Sequence, residues 1–158
     1  VEPDSHAVLP PVARGAAALS RDQDTGLDAS APDSYDVGVM SGTQHPPRRP
    51  KHVLSEMARI APAAILSVPN FAYCRHRAEL MLTGRMPVSD ELPYPWYQTP
   101  NIHLSTLPDT EALFDDVGLD VSTRILLDEQ HVPLRAPRMA SNLRAARAVY
   151  TLTRRQPR

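Results

Sequence analysis

Tyr35-Asp36-Val37-Gly38-Val39-Met40, then Val53, Leu54, Met57, Ile60 and Ala61 at three- and four-residue steps, then Ala64-Ile65-Leu66-Ser67-Val68: the run from 35 to 68 decides the fold. Its two outer stretches are short, apolar and rich in β-branched or aliphatic side chains, which is the pattern of buried strands. The middle stretch places its apolar positions on one side of a helix over 51–61. Pro50 suits the first turn of that helix, where a missing amide costs nothing, and Pro62 closes it. Strand, helix, strand at this spacing is the repeating unit of an α/β sheet with parallel neighbours.

Downstream, a helix is predicted from Phe71 to Thr83, with Gly84 as its stop. Residues 85–101 form a long connection with four prolines and the cluster Tyr94, Trp96, Tyr97. Ile102-His103-Leu104 starts a strand. Thr106-Leu107-Pro108-Asp109 then has the spacing of a helix capping box, with Asp in place of Glu. Leu113, Phe114 and Val117 give that helix an apolar face, and Gly118 ends it. Leu119 to Leu127 reads as a final strand. A loop with Pro133 and Pro137 leads to a last amphipathic helix over 141–155. Upstream, residues 16–20 read as a short strand, followed by a polar, turn-rich stretch from Arg21 to Ser34.

The chain has 158 residues, the length of one domain with one core. No apolar run approaches the roughly 20 residues that span a bilayer, and the start has no signal-peptide pattern. A first residue of Val rather than Met suggests a segment of a longer chain. The single cysteine, Cys74, has no internal partner, so a reducing cytoplasm is expected. Six histidines are scattered without His-Glu-x-x-His or paired Cys-x-x-Cys spacing, so no metal is expected. Cys74 and His76, two positions apart on a helix, do not face each other and make no nucleophile pair. After Glu129 there is no acid, while seven arginines follow (Arg135, Arg138, Arg144, Arg147, Arg154, Arg155 and Arg158), against a net charge of −1. No aromatic platform accompanies them, so they are expected to solvate an amphipathic helix or to meet an acidic partner rather than nucleic acid.

Three stretches resemble the methionine biosynthesis protein MetW family. The most specific is Leu80-Met81-Leu82-Thr83-Gly84-Arg85-Met86-Pro87-Val88, followed by Leu92-Pro93-Tyr94, Trp96-Tyr97 and Thr99-Pro100-Asn101-Ile102-His103-Leu104. The second is Arg49-Pro50 through Val53-Leu54-Ser55-Glu56-Met57, with Val68-Pro69-Asn70-Phe71 after the next strand. The third runs from Asn142-Leu143-Arg144 to Arg154-Arg155. Together they cover most of residues 35–158. The resemblance implies a class I S-adenosylmethionine-type methyltransferase fold: one α/β, three-layer, Rossmann-like domain over 1–158, its sheet mostly parallel with an antiparallel last strand. It also implies that residues 102–104 and 119–127 pair as an antiparallel edge. The family's first strand and Gly-rich cofactor turn have no counterpart, since no Gly-x-Gly occurs. The domain is therefore expected to be N-terminally incomplete and to bind S-adenosylmethionine weakly or not at all, unlike a longer chain.

By the family's register, Glu2 ends the second strand, where an acid accepts both ribose hydroxyls of the cofactor. Asp22 follows the third strand, where it would accept from the adenine amino group, with Gln23 beside it. Ser41 ends the fourth strand, where cofactor and substrate meet in open α/β sheets. Asn70 is a pocket-edge candidate. Tyr94, Trp96, Tyr97 and His103 would line a pocket lid or a partner surface. Two activities follow from the resemblance. One is an accessory protein that binds and supports homoserine O-acyltransferase; the other is a methyltransferase acting on a small molecule.

Overall fold

The computed structural model describes residues 24, 26–41, 47–90, 92–99 and 101–155. In chain order they form β1 (Val37–Ser41), α1 (Pro50–Ile60), β2 (Ala63–Pro69), α2 (Cys74–Thr83), α3 (Leu107–Asp116), β3 (Leu119–Leu127), β4 (Pro133–Leu134), α4 (Arg138–Arg144) and β5 (Arg147–Arg154). The strand expected over 16–20 lies outside the described residues. The decisive run folds as strand, helix and strand, with β1 and β2 parallel and Val37 opposite Ala63, but β1 is not the buried strand expected, since its residues are exposed or only partly buried. Pro50 opens α1, and the carboxylate of Asp24 accepts the Arg48 and Arg49 amides at 3.1 and 2.8 Å, occupying donors at the helix entrance. At the other end, the Arg59 guanidinium donates to the carbonyls of Ser30 and Leu27, fastening the turn before β1.

The strands form one sheet in the order β1-β2-β5-β3-β4. β5 is antiparallel to both β2 and β3, so β1, β2 and β3 run one way and β5 between them runs the other. The antiparallel last strand is present, but two boundaries differ from expectation. Residues 147–154, placed by periodicity within a helix over 141–155, are β5; the helix is the shorter α4. Along β5, Ala148, Tyr150 and Leu152 are buried, alternating with partly exposed neighbours; this two-residue period fits a strand. Its Val, Tyr and Thr side chains favour a pleated surface. The second correction concerns the expected edge pair: residues 102–104 form no strand, and β3 pairs with β5 and β4 instead. Local side chains claim the amides there. Thr99 Oγ1 accepts from Asn101 N–H at 3.1 Å, and Asn101 Oδ1 accepts from His103 N–H at 3.3 Å.

The core lies on one face of the sheet. Val53, Leu54 and Met57 of α1 and Leu107 and Phe114 of α3 pack on Ala64, Leu66, Ala148, Tyr150, Leu152 and Leu126. The Phe114 and Tyr150 rings meet edge to face at 5.1 Å, both fully buried. Tyr150 keeps its hydroxyl satisfied by donating to Glu111 Oε1 at 3.1 Å, and the same oxygen accepts from Arg124 at 2.9 Å. Burial, reinforced by the Glu111 charge, holds that phenol far above its usual pKa. The described residues thus supply the sheet and the helical layer on one face. On the opposite face Val37, Val39, Ile65 and Ile125 are 37–69% exposed. β1 approaches α1 closely at Gly38, where an added Cβ would sit 3.1 Å from Met57 Cε. Among the described residues, no helix is long and apolar enough to cross a membrane.

Candidate functional site

β1 and β2 end side by side, with Ser41 opposite Ser67. Ser41 is exposed at that end of the sheet. Two residues beyond Val68, the chain reaches Asn70, which is 1% exposed. Its side-chain amide donates to the carbonyls of Asn142 and Ala145 at 2.9 and 2.8 Å, and its Oδ1 accepts from Ala72 N–H at 3.1 Å. Its backbone N–H donates to Ala146 O at 2.8 Å. Asn70 therefore ties the end of β2 to the junction of α4 and β5, and satisfies carbonyls that the end of α4 leaves free.

α2 begins at Cys74, three residues later than the expected Phe71, and ends at Gly84, whose φ of 65° is the left-handed conformation that glycine adopts freely. The one side chain of α2 that is buried is His76, 2% exposed. Its ring stacks on Phe71 at 6.2 Å and meets Tyr73 edge on at 5.6 Å. Its Nε2 lies 2.9 Å from Ser89 Oγ, and among the described residues its buried Nδ1 meets no hydrogen-bond partner of good geometry. Burial lowers the His76 pKa from its usual value, although the Asn70 backbone, Glu129 and Glu79 favour the charged form.

The connection after Gly84 is held at both ends. Near its start, Ser89 and Leu92 exchange backbone hydrogen bonds at 3.0 Å each, beside the His76 contact. Near its end, His103 Nε2 lies 3.0 Å from Arg48 O, and Phe71 N–H donates to Ser105 O at 3.0 Å. Between the anchors, Gln98 and Thr99 donate to Pro95 O, forming a turn that carries Trp96 and Tyr97. Those rings touch each other edge to face at 5.7 Å and stand 72% and 67% exposed. Tyr94 is 41% exposed.

Asn70 and His103 line one crevice together with Phe71, His76, Asn101 and Ser105. Its free volume, about 10 Å³, is the room of one water rather than of a cofactor. A second, open cleft of about 390 Å³ runs along β3 and β4 between Arg124 and Arg135. Of the expected cofactor residues, Glu2, Asp22 and Gln23 lie outside the described residues, and Ser41 is the one described, at the end of β1 opposite Ser67. Of the expected surface residues, Trp96 and Tyr97 come together at a tip, while His103 and Asn70 lie beneath the loop. Reading the sequence set His76 aside as a nucleophile partner and missed its buried contact with the loop. Its signal is faint: a histidine preceded by Phe71 and Tyr73, whose rings reach it only because the helix starts at Cys74.

Among the described residues, no group of three or more His, Cys, Asp or Glu side chains is placed to hold a metal. The family described as "Methionine biosynthesis protein MetW" matches residues 1–152. A curated relative, the "Bifunctional methionine biosynthesis protein MetXA/MetW" of Rhodopirellula baltica, is 28% identical over 155 residues, covering 98% of this chain and 25% of that protein. The chain thus spans a quarter of the relative's length. Among solved structures, a S-adenosylmethionine-dependent methyltransferase from Thermotoga maritima superposes with a TM-score of 0.66 at 14% identity, covering 98% of this chain and 72% of that one. Another from Aquifex aeolicus gives 0.54 at 14% identity, with coverage of 94% and 60%. At that identity the superposition establishes the fold alone, an α/β methyltransferase fold.

Proposed function

The chain belongs to the methionine biosynthesis protein MetW family, and on that premise we propose that it is a methyltransferase-fold accessory protein that binds and supports homoserine O-acyltransferase through its 85–104 loop. The observation that carries this reading is the edge-to-face pair Trp96–Tyr97, 72% and 67% exposed on a turn whose two flanks are tied down. A loop of this length is uncommon as a simple connection, since most run about 4–6 residues. Large aromatic side chains on a restrained backbone lose little entropy on docking, and Trp and Tyr dominate binding energy at protein interfaces. The Rhodopirellula baltica relative names MetXA and MetW in one bifunctional chain, which supports physical association of the two functions.

The cofactor reading is narrower. S-adenosylmethionine would lie at the end of β1, where Ser41 is the described candidate to meet it; Glu2, Asp22 and Gln23 would complete the contacts. When bound, that group supplies an electrophilic methyl, and the protein's task is to position donor and acceptor.

The test is co-purification with the organism's homoserine O-acyltransferase. Replacing Trp96 and Tyr97 together by alanine is expected to abolish it, a loss of at least about 30-fold in affinity for one interface hot spot. Thermal unfolding should stay unchanged, because neither ring contributes to the core. Wild-type recovery of the acyltransferase by the double variant would make the loop a lid or brace and move methyl transfer ahead.

A further inference from the structure

We propose that the open cleft along β3 and β4 binds a small aliphatic carboxylate, and that Arg124 is the group that takes its charged end. The cleft is lined by Arg124, Leu126, Leu134, Arg135, Ala136 and Pro137 and holds about 390 Å³, a volume within the range of small-molecule sites. It lies at the opposite edge of the sheet from β1, away from Ser41, and no residue of the 85–104 loop lines it. The site is therefore independent of the partner surface and of the cofactor position assigned above.

The order of residues along two strands sets its chemistry. Leu126 of β3 stands opposite Leu134 of β4, and Arg124, two positions before Leu126, shares its face of the sheet. That face looks toward α3, whose Glu111 meets Arg124. Leu126 is buried in the core, and Leu134 and Ala136 are half-buried against it, so the floor of the cleft is aliphatic and held in place. Arg124 supplies the polar end. A guanidinium has five N–H donors in a fixed fork, and here Nη1 donates to Glu111 Oε1 at 2.9 Å. Nε and Nη2 have no partner among the described residues, yet neither is sealed from solvent. Those donors match the two oxygens of a carboxylate. The Arg124 side chain is 21% exposed, so such a pair is screened less than one on the open surface.

Charge narrows the ligand further. Arg135 adds a second positive group, and no acid follows Glu129 in the sequence to offset it. Glu111, however, stays beside Arg124, and its negative charge disfavours a phosphate dianion more than a singly charged carboxylate. The aliphatic floor in turn favours an acid with a hydrocarbon stem over a bare anion.

The experiment is a titration of the 158-residue chain with hexanoate, followed by the backbone amide resonances of Leu126, Leu134 and Ala136. Saturable shifts are expected with a dissociation constant of about 1 mM, and acetate should bind at least about tenfold more weakly. Arg124→Met, which keeps a stem but no charge, should weaken hexanoate at least about tenfold, with thermal unfolding as the check on its fold. Glu111→Gln keeps an acceptor for Arg124 and Tyr150 but removes the competing charge. It should tighten hexanoate by about threefold or more, a gain that a merely structural Glu111 would not give. Hexan-1-ol and inorganic phosphate at the same concentrations should leave these amides unmoved. The proposal is overturned by shifts that do not saturate, by an equal response to hexan-1-ol or phosphate, or by unchanged hexanoate affinity in Glu111→Gln.

Discussion

The carboxamide of Asn70 donates to two carbonyls at the end of α4 and accepts one amide, all inside the protein. Removing it takes the partner from two buried backbone groups, at Ala145 and Ala72, and from the part-buried Asn142 carbonyl, each buried one worth about 1–3 kcal/mol when orphaned. Asn70→Ala should therefore destabilise the protein by about 2–4 kcal/mol, read as a lower urea midpoint with an unchanged slope. A loss under about 1 kcal/mol would mean that water replaces the side chain. Asn70 was visible in the sequence as a polar residue after a strand, but a pocket edge and a brace give the same pattern in one dimension. What distinguishes them is the position of Asn142 and Ala145, some seventy residues away, which only the fold supplies. The contact of His76 was invisible for a related reason. Nothing local says that Ser89 returns to it across Gly84.

At the scale of elements, what local chemistry decides was legible. The box at the start of α3 is complete: Thr106 N–H donates to Asp109 Oδ2 at 3.1 Å, and Asp109 N–H donates to Thr106 Oγ1 at 3.3 Å. Thr106→Ala should cost about 1 kcal/mol in thermal or urea unfolding. The Thr106 hydroxyl and amide hold the Asp109 carboxyl below its usual pKa. Its contribution is thus present above the unfolded value of about 3.9 and lost as pH falls through the folded one. An acid titration of wild-type stability that lacks this component, compared with Asp109→Asn, would show that solvent screens the box. The failures came where two periods compete. Residues 141–155 carry apolar side chains that fit a helix until the alternation of Ala148, Tyr150 and Leu152 is set against β2 and β3. Residues 102–104 look like a strand until Thr99 and Asn101 occupy their amides.

For the whole molecule, the parallel β1–β2 unit was readable and the order of the sheet was not, because order depends on which distant strand enters between β2 and β3. That strand is β5, which contributes the fully buried Tyr150 and Leu152 and contacts partners on both edges. A chain stopped after Arg144 should show no cooperative unfolding transition in calorimetry, even though every other strand and helix is retained. A sharp transition in that truncated chain would show that β3 can close directly onto β2. The arginine-rich tail also has a different task from the one its charge suggests. Arg154 reaches Asp33 at 2.8 Å, and Arg155 reaches Asp115 and Asp120 at 2.7 Å each, so both arginines serve the fold. Being exposed, these pairs are screened by solvent and each contributes little. The place of β5 has a temporal consequence. Arg147 meets Ser67 across 80 positions of sequence, so at a synthesis rate of about 5–20 residues per second the ribosome releases β2 on the order of ten seconds before its neighbour exists. Throughout that interval β2 has β1 on one edge and lacks its β5 partner on the other. The sheet is therefore joined across its middle only once β5 has been made.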